Sequence, residues 1–224
     1  MAEVFKNLDW SVLTDILLAI IPALICITIH ELSHGLAAYL MGDTMAKDEG
    51  RLSLNPLRHI DVMGLVMLVV FKIGWAKPVP INMDRFKNPK AGMAISALAG
   101  PGSNFILACA ALFLYGFLYP FWHASAVGGT VLETIYVTAY LSIGLGVFNL
   151  LPVPPLDGSK VLFAVLPDTG YRRLMYYERY GMLLLFALAF FGVLSGPLQV
   201  VIGFIMEHLF GVAQFAFELG KHFI

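Results

Sequence analysis

Two histidines and a glutamate interrupt an otherwise uncharged, apolar stretch near the start of the chain, as His30-Glu31-Leu32-Ser33-His34. An ionisable side chain at bilayer depth costs about 2.5–3.5 kcal/mol or more, so such residues in a membrane helix usually serve a function. Residues i and i+4 share one helix face, which lets His30 and His34 bind one zinc ion through their ring nitrogens. Glu31 can reach a water molecule at the metal. On its own, the spacing fits a pair of packing histidines about as well.

A second group of residues follows a later apolar run, as Asn149-Leu-Leu-Pro-Val-Pro-Pro-Leu-Asp-Gly158. Its prolines break a helix and free backbone carbonyls, which is tolerated at membrane depth only where protein or a water-filled cavity surrounds them. A catalytic zinc takes three protein ligands and keeps one position open for water. Asp157 can supply the third ligand. Alone it would more simply be a helix cap in a loop, but beside the first motif a ligand is favoured.

The composition is that of an integral membrane protein. Of 224 residues, 59% are hydrophobic and only 13% are charged, against about 25% charged in soluble domains. A net charge of −1 excludes a nucleic-acid footprint, and two cysteines in apolar runs indicate no disulfide. We also expect no removable signal peptide. Residues 1–224 are predicted to form one integral membrane domain, and the sequence carries no signal for an oligomeric state.

Apolar runs long enough to cross a membrane occur at residues 16–41, 91–119 and 133–151, since about 20 helical residues span a bilayer. Pro22 is a possible kink in the first. Residues 181–212 exceed the length of one helix, and Ser195-Gly196-Pro197 divides them into a predicted C-terminal helical pair. Residues 62–71 are too short to span and favour a segment that is re-entrant or packed against the helix bundle. The predicted fold is an all-α polytopic membrane protein of about five to six membrane segments around a buried zinc site.

Basic residues predict the orientation, because cytoplasmic loops are rich in Lys and Arg. Residues 43–90 hold eight of the 14 Lys and Arg, residues 152–180 hold four, and residues 120–132 hold none. The first two regions should be cytoplasmic, in a multi-pass protein of the cell (plasma) membrane. The prolines of residues 74–80 predict a short β or extended element on that side. His30 precedes Leu40 by ten residues, or roughly 15 Å of helix, so the site should lie nearer the cytoplasmic side.

The two motifs together resemble the site-2 protease family of intramembrane zinc metalloproteases, in a minimal form without an inserted regulatory domain. Ala99-Gly-Pro-Gly-Ser-Asn104 and Gly74-Trp-Ala-Lys-Pro-Val-Pro80 also match, and the resemblance covers residues 10–165. It implies that His30, His34 and Asp157 bind one Zn²⁺ per chain, that Glu31 is the catalytic base, and that Asn149 assists at the reacting carbonyl. The implied substrate is a transmembrane segment of another membrane protein, cleaved by a zinc-dependent endopeptidase.

Other residues have two interpretations each. His59 either lines the entry to the site, hydrogen-bonds near it, or is a surface histidine. Val62 stands where relatives of this short architecture often have proline. Asn104 either packs near the metal helix or, more simply, joins two helices through its amide. Pro78, Val79 and Pro80 belong to the extended segment, which could hold an unwound substrate as an added strand.

Two other classes of function share these residues. A membrane zinc carrier would use the same ligands without chemistry, but transport needs no base beside a ligand, so Glu31 argues against it. An inactive membrane scaffold of the same fold would not need all four chemical residues. In the protease interpretation, zinc lowers the pKa of water towards about 7, Glu31 takes its proton, and Asn149 donates to the developing oxyanion.

Overall fold

The fold is built from long apolar helices. The computed structural model describes residues 10–64, 75–167 and 180–223. Within these ranges, four helices are long and apolar enough to cross a membrane, and a shorter apolar helix accompanies them. In chain order the helices are α1 (Trp10–Leu40), α2 (Met45–Asp48), α3 (Pro89–Trp122), α4 (Ala126–Asn149), α5 (Asp157–Val165), α6 (Tyr180–Phe190) and α7 (Ser195–Lys221). The prediction of an all-α, multi-pass membrane protein is confirmed.

Local sequence fixes where the central helices begin and end. Asn88 caps α3 by accepting a hydrogen bond from the N–H of Ala91, and Pro89 occupies the first helical position, where no N–H is needed. Ser125 caps α4 in the same way, accepting from the N–H of Gly128. Only residues 123–125 join the two helices, so α3 and α4 run antiparallel. The prolines after Asn149 prevent α4 from continuing.

Helix α3 is the centre of the fold and packs against α1, α4, α5 and α7. Small residues allow the close approach: a Cβ on Gly116 would lie 2.0 Å from the carbonyl oxygen of Ala213 on α7. The buried core between α3, α4 and α7 includes Leu112, Ile143 and Met206. Large apolar side chains instead cover the outer faces, as expected for surfaces that contact lipid; they include Ile21, Ile106, Phe190, Phe204 and Phe215.

Several predicted boundaries differ from the observed ones. Helix α1 begins before residue 16 and passes through Pro22 without ending. Helix α4 begins seven residues before the predicted position 133, because Ser125 caps a glycine-containing first turn that is less apolar than a membrane run. The break in the C-terminal pair precedes Ser195, at Gly192 with φ of +68°. Ser195-Gly196-Pro197 starts α7, since proline is tolerated in a first turn, and α7 continues past 212 to Lys221.

The small polar region between α1 and α3, described over residues 41–64 and 75–88, is called the cap. The predicted β element is a single antiparallel bridge between Ile60 and Ala76, beside a hydrogen bond of 2.9 Å from the N–H of Lys77 to the carbonyl of His59. Fully buried Asp43 accepts hydrogen bonds from the N–H groups of Met45 and Asn82 and so ties the cap together. Of the predicted re-entrant segment, residues 62–64 form a helical turn and 65–71 lie outside the described residues.

Candidate metal centre

Three potential metal ligands converge between α1 and the start of α5. The Nε2 atoms of His30 and His34 lie 2.9 Å apart. Oδ2 of Asp157 lies 3.2 Å from the first and 3.0 Å from the second. All three residues are buried, with exposed fractions of 4%, 6% and 5%. Residues separated by 127 positions therefore present three electron-pair donors to one point.

Backbone geometry explains how Asp157 reaches the histidines. After α4 ends, the chain turns through the prolines and α5 begins at Asp157, whose negative charge is favourable at a helix N-terminus. Gly158 makes the turn possible, because a Cβ there would lie 2.2 Å from the carbonyl oxygen of Leu150. Helix α5 can thus start directly against the end of α4, which directs Asp157 inward to α1.

The three residues fit a zinc ion. Tetrahedral zinc with bonds of about 2.0–2.1 Å separates its ligand atoms by about 3.3 Å. The observed separations of 2.9, 3.0 and 3.2 Å are close to this value. Two imidazoles and a carboxylate also match the donor set of a catalytic zinc, which has three protein ligands and a fourth position for water or substrate.

Each of the three residues has a further polar partner on its outer side. Nδ1 of His34 lies 2.7 Å from the carbonyl oxygen of Ser96, and Nδ1 of His30 lies 3.3 Å from the side-chain amide of Asn104. Nζ of Lys160 donates to Oδ1 of Asp157 over 3.2 Å. Such partners orient metal ligands. Sequence reasoning missed Ser96, which acts through its backbone, and Lys160, although its position three residues after Asp157 on a helix was readable.

Charge and hydrogen bonding keep Asp157 ionised. Without a metal, burial acts to raise the pKa of this carboxyl group, but hydrogen bonds with His30 and His34, the charge of protonated His34 and that of Lys160 outweigh burial. The pKa of Asp157 is therefore held well below its usual range. A carboxylate, rather than a carboxylic acid, faces the two imidazoles, as metal binding requires.

Helix α3 supports the two histidines through a residue without a side chain. A Cβ on Gly100 would lie 2.3 Å from Nε2 of His34 and 2.8 Å from Cε1 of His30. The imidazoles therefore pack directly on the backbone of α3. The predicted likeness of residues 99–104 to the family contained this glycine, but no signal in the sequence identified it as part of the site.

The extended segment lies against Glu31. The N–H of Val79 donates to Oε2 of Glu31 over 3.0 Å, and Val79 is buried whereas Pro78 is exposed and Pro80 half-buried. Buried Arg51 holds the preceding residues: its Nη2 lies 2.5 Å from the carbonyl oxygen of Lys77 and 3.3 Å from that of Pro78. Neither the Val79 contact nor Arg51 was predicted, since both depend on contacts between distant parts of the chain.

Among the described residues, no hydrogen bond joins two of the predicted residues, Asn149 and His59, to the three potential ligands. The amide of half-buried Asn149 donates to the carbonyl of Leu145 on its own helix over 2.9 Å. His59 is 1% exposed, with Nε2 lying 2.8 Å from the carbonyl oxygen of Ser53. The interpretation of His59 as a surface histidine is therefore wrong. It is buried because the cap folds over it, which the polar sequence around it did not indicate.

Comparisons with known proteins agree with this geometry. Residues 18–195 match the model of peptidase family M50. YwhC of Bacillus subtilis is 36% identical over 171 residues, which cover 75% of this chain and 78% of the length of YwhC. Rip2 of Mycolicibacterium smegmatis is 30% identical over 77% of this chain and 66% of its own. Rip2 of Mycobacterium tuberculosis is 28% identical over 88% of this chain and 71% of the length of that protein. The names of all three describe zinc metalloproteases, and no solved structure matches the chain.

Proposed function

Since the chain belongs to peptidase family M50 and is a zinc metalloprotease, we propose that it hydrolyses peptide bonds within transmembrane segments of other proteins. One observation carries the proposal. His30 and His34 are buried in a helix that is long and apolar enough to cross a membrane, over residues 18–40. His30 precedes the end of α1 by ten residues, or roughly 15 Å. Cleavage at such a site takes place at membrane depth.

In this mechanism, Nε2 of His30, Nε2 of His34 and Oδ2 of Asp157 hold the zinc ion. When bound, zinc supplies a Lewis acid that acidifies water and polarises a carbonyl group. Glu31 is the general base: it takes a proton from the attacking water and passes it to the leaving nitrogen. The hydrogen bond from the N–H of Val79 fixes Oε2 of Glu31, which leaves its other oxygen to carry the proton.

Asn149 is proposed to donate a hydrogen bond to the oxyanion that forms at the scissile carbonyl. To do so, its amide would exchange the present hydrogen bond to the carbonyl of Leu145 for one to the substrate. Catalytic hydrogen bonds often form only when substrate is bound, so this rearrangement is compatible with the role. The alternative is that the amide only stabilises the end of α4.

A substrate helix must unwind before cleavage, because its carbonyls are hydrogen-bonded within the helix. The extended segment at residues 75–80 is proposed to hold the unwound peptide as an added strand. Its N–H groups at Lys77 and Val79 are already paired. The carbonyl of Val79 accepts no hydrogen bond from the described residues. Because the N–H and C=O of one residue in an extended chain face the same side, this carbonyl is proposed to face the substrate on the side of Glu31.

The orientation follows from the charged loops. Residues 43–90 carry eight of the 14 Lys and Arg, whereas residues 120–132 carry none, so we place the cap in the cytoplasm and the α3–α4 turn outside. In this orientation the metal-binding group is nearer the cytoplasmic face of the cell membrane.

The proposal is tested by reconstituting the protein in lipid vesicles with a single-span model peptide and locating the cut by mass spectrometry. We expect zinc-dependent cleavage inside the apolar segment, which a chelator removes and added zinc restores. The Glu31→Gln variant serves as the matched control for contaminating proteases. Cleavage confined to residues outside the bilayer, or equal cleavage by the variant, would overturn the proposal.

A further inference from the structure

The outer partner of His34 determines which ring nitrogen carries the proton. A carbonyl oxygen only accepts hydrogen bonds, and that of Ser96 lies 2.7 Å from Nδ1 of His34. The proton of a neutral His34 is therefore on Nδ1, and the lone pair is on Nε2, the atom that faces His30 and Asp157. This is the tautomer that a zinc ligand binding through Nε2 requires.

His30 requires the same tautomer but has a different partner. Its Nε2 also faces the metal position, so its proton must be on Nδ1 when Nε2 binds a metal. Nδ1 lies 3.3 Å from the side-chain nitrogen, Nδ2, of Asn104, a residue with no exposed surface. An asparagine amide has an acceptor and a donor end of nearly equal size, and a half-turn about its last torsion exchanges them.

Only the acceptor end of Asn104 can pair with a protonated Nδ1. The backbone of Asn104 is fixed on α3, since its carbonyl accepts a hydrogen bond of 2.8 Å from the hydroxyl of Ser142 on α4. Its Oδ1 makes no hydrogen bond among the described residues, so no other group competes for this oxygen. With the amide turned so that Oδ1 faces His30, each of the two imidazoles has an oxygen acceptor at Nδ1 and directs Nε2 to the metal position.

We infer that Asn104 is a positioning residue: its Oδ1 accepts the proton of Nδ1 of His30 and thereby aims the lone pair of Nε2 at the metal. The inference rests on the proposed function, because it takes His30 as a zinc ligand. Asn104 would then do more than join two helices. Helix α3 would supply the hydrogen-bond acceptors of both histidines, through Ser96 and Asn104.

The test compares two substitutions that differ in what they offer to Nδ1. Asn104→Leu removes the acceptor at similar volume, whereas Asn104→Asp offers only acceptors. Ser103→Ala is the matched control, since among the described residues the hydroxyl of Ser103 donates to the carbonyl of Gly100 on its own helix. The zinc dissociation constant is measured by competition with a chelator, with thermal unfolding of the metal-free protein in parallel. Asn104→Leu should weaken zinc binding by on the order of 10- to 100-fold.

Asn104→Asp should bind zinc within a few-fold of the unsubstituted protein, since its carboxylate also accepts from Nδ1. If instead Asn104→Asp binds as weakly as Asn104→Leu, the asparagine acts as a donor and the inference is overturned. It is equally overturned if Asn104→Leu retains full affinity.

A further variant keeps the test decisive if Asn104→Leu does not fold. Asn104→Ala removes the acceptor without adding volume, and it should weaken zinc binding by a similar factor, on the order of 10- to 100-fold. Full zinc affinity in a folded Asn104→Ala protein overturns the inference. The proposed function fails on a different result, namely that the unsubstituted protein binds zinc but cleaves nothing.

Discussion

The N–H of Val79 donates a hydrogen bond of 3.0 Å to Oε2 of Glu31, the residue after His30, and Glu31 is not one of the three converging side chains that could bind a metal. Glu31→Gln keeps an acceptor for Val79 but cannot take a proton. We expect proteolysis to fall by on the order of 10²–10⁴-fold, the usual contribution of a general base. Zinc content, measured by elemental analysis, should stay at that of the unsubstituted protein. A proportional loss of zinc would show that Glu31 is a ligand.

Gly100→Ala should remove zinc binding. The added methyl group would lie 2.3 Å from Nε2 of His34, a distance that no real Cβ contact tolerates, and the neighbouring atom is the proposed ligand itself. The matched control is Gly102→Ala, because a Cβ there meets no atom within 4 Å. Zinc affinity of the two purified variants distinguishes the effects. Equal affinity would mean that the histidines can move away from α3 and still bind metal.

Arg51→Met should impair substrate handling and leave zinc bound. The guanidinium holds the carbonyls of Lys77 and Pro78 immediately before Val79, and hydrogen bonds to charged groups contribute about 1.5–3 kcal/mol. We therefore expect kcat/KM to fall by on the order of 10- to 100-fold. Lys87→Met, which removes the charge of an exposed residue, is the control. An unchanged kcat/KM with the fold intact would separate the extended segment from catalysis.

Asn149→Ala distinguishes a catalytic amide from a structural one. As an oxyanion donor, Asn149 should contribute on the order of 10²–10³ to kcat, with zinc content and thermal stability little changed. If its role is the present hydrogen bond to Leu145 at the end of α4, the variant should instead lose stability, and metal and activity should decline together.

The orientation can be measured by thiol labelling in a background that lacks Cys26 and Cys109. A cysteine in place of exposed Ser125, in the α3–α4 turn, should react with an impermeant reagent added outside intact cells. A cysteine in place of exposed Glu49, in the cap, should react only after the membrane is opened. The reverse pattern would place the metal-binding group nearer the outer face.

The convergence of His30, His34 and Asp157 was predictable because each residue belongs to a short motif in the sequence. The spacing of His30 and His34 predicts that both lie on one face of a helix. The prolines before Asp157 predict that a helix ends there at membrane depth. Their meeting over 127 positions was inferred from chemistry and is found in the structure. The roles of Glu31 and Asn149 stay predictions.

The contacts that the sequence did not indicate are made by backbone atoms or depend on the absence of a side chain. The carbonyl of Ser96, the N–H of Val79 and the absent side chain of Gly100 carry no residue-type signal. His59 illustrates the same limit: its surroundings are polar, yet it is buried by contacts from residues far along the chain. Helix boundaries shifted for a simpler reason, because caps such as Ser125 extend helices beyond their apolar runs.

Helix α3 has 34 residues and is therefore about 51 Å long, whereas the hydrocarbon core of a bilayer is roughly 30 Å thick. A helix of this length must tilt or extend into the headgroup layer, and its tilt responds to bilayer thickness. Ser96, Gly100 and Asn104, which contact the two histidines, all lie within nine residues of this one helix. We therefore expect lipids that change the inclination of α3 to act on the residues that support His30 and His34, and we expect the rate of the proposed reaction to depend on acyl-chain length.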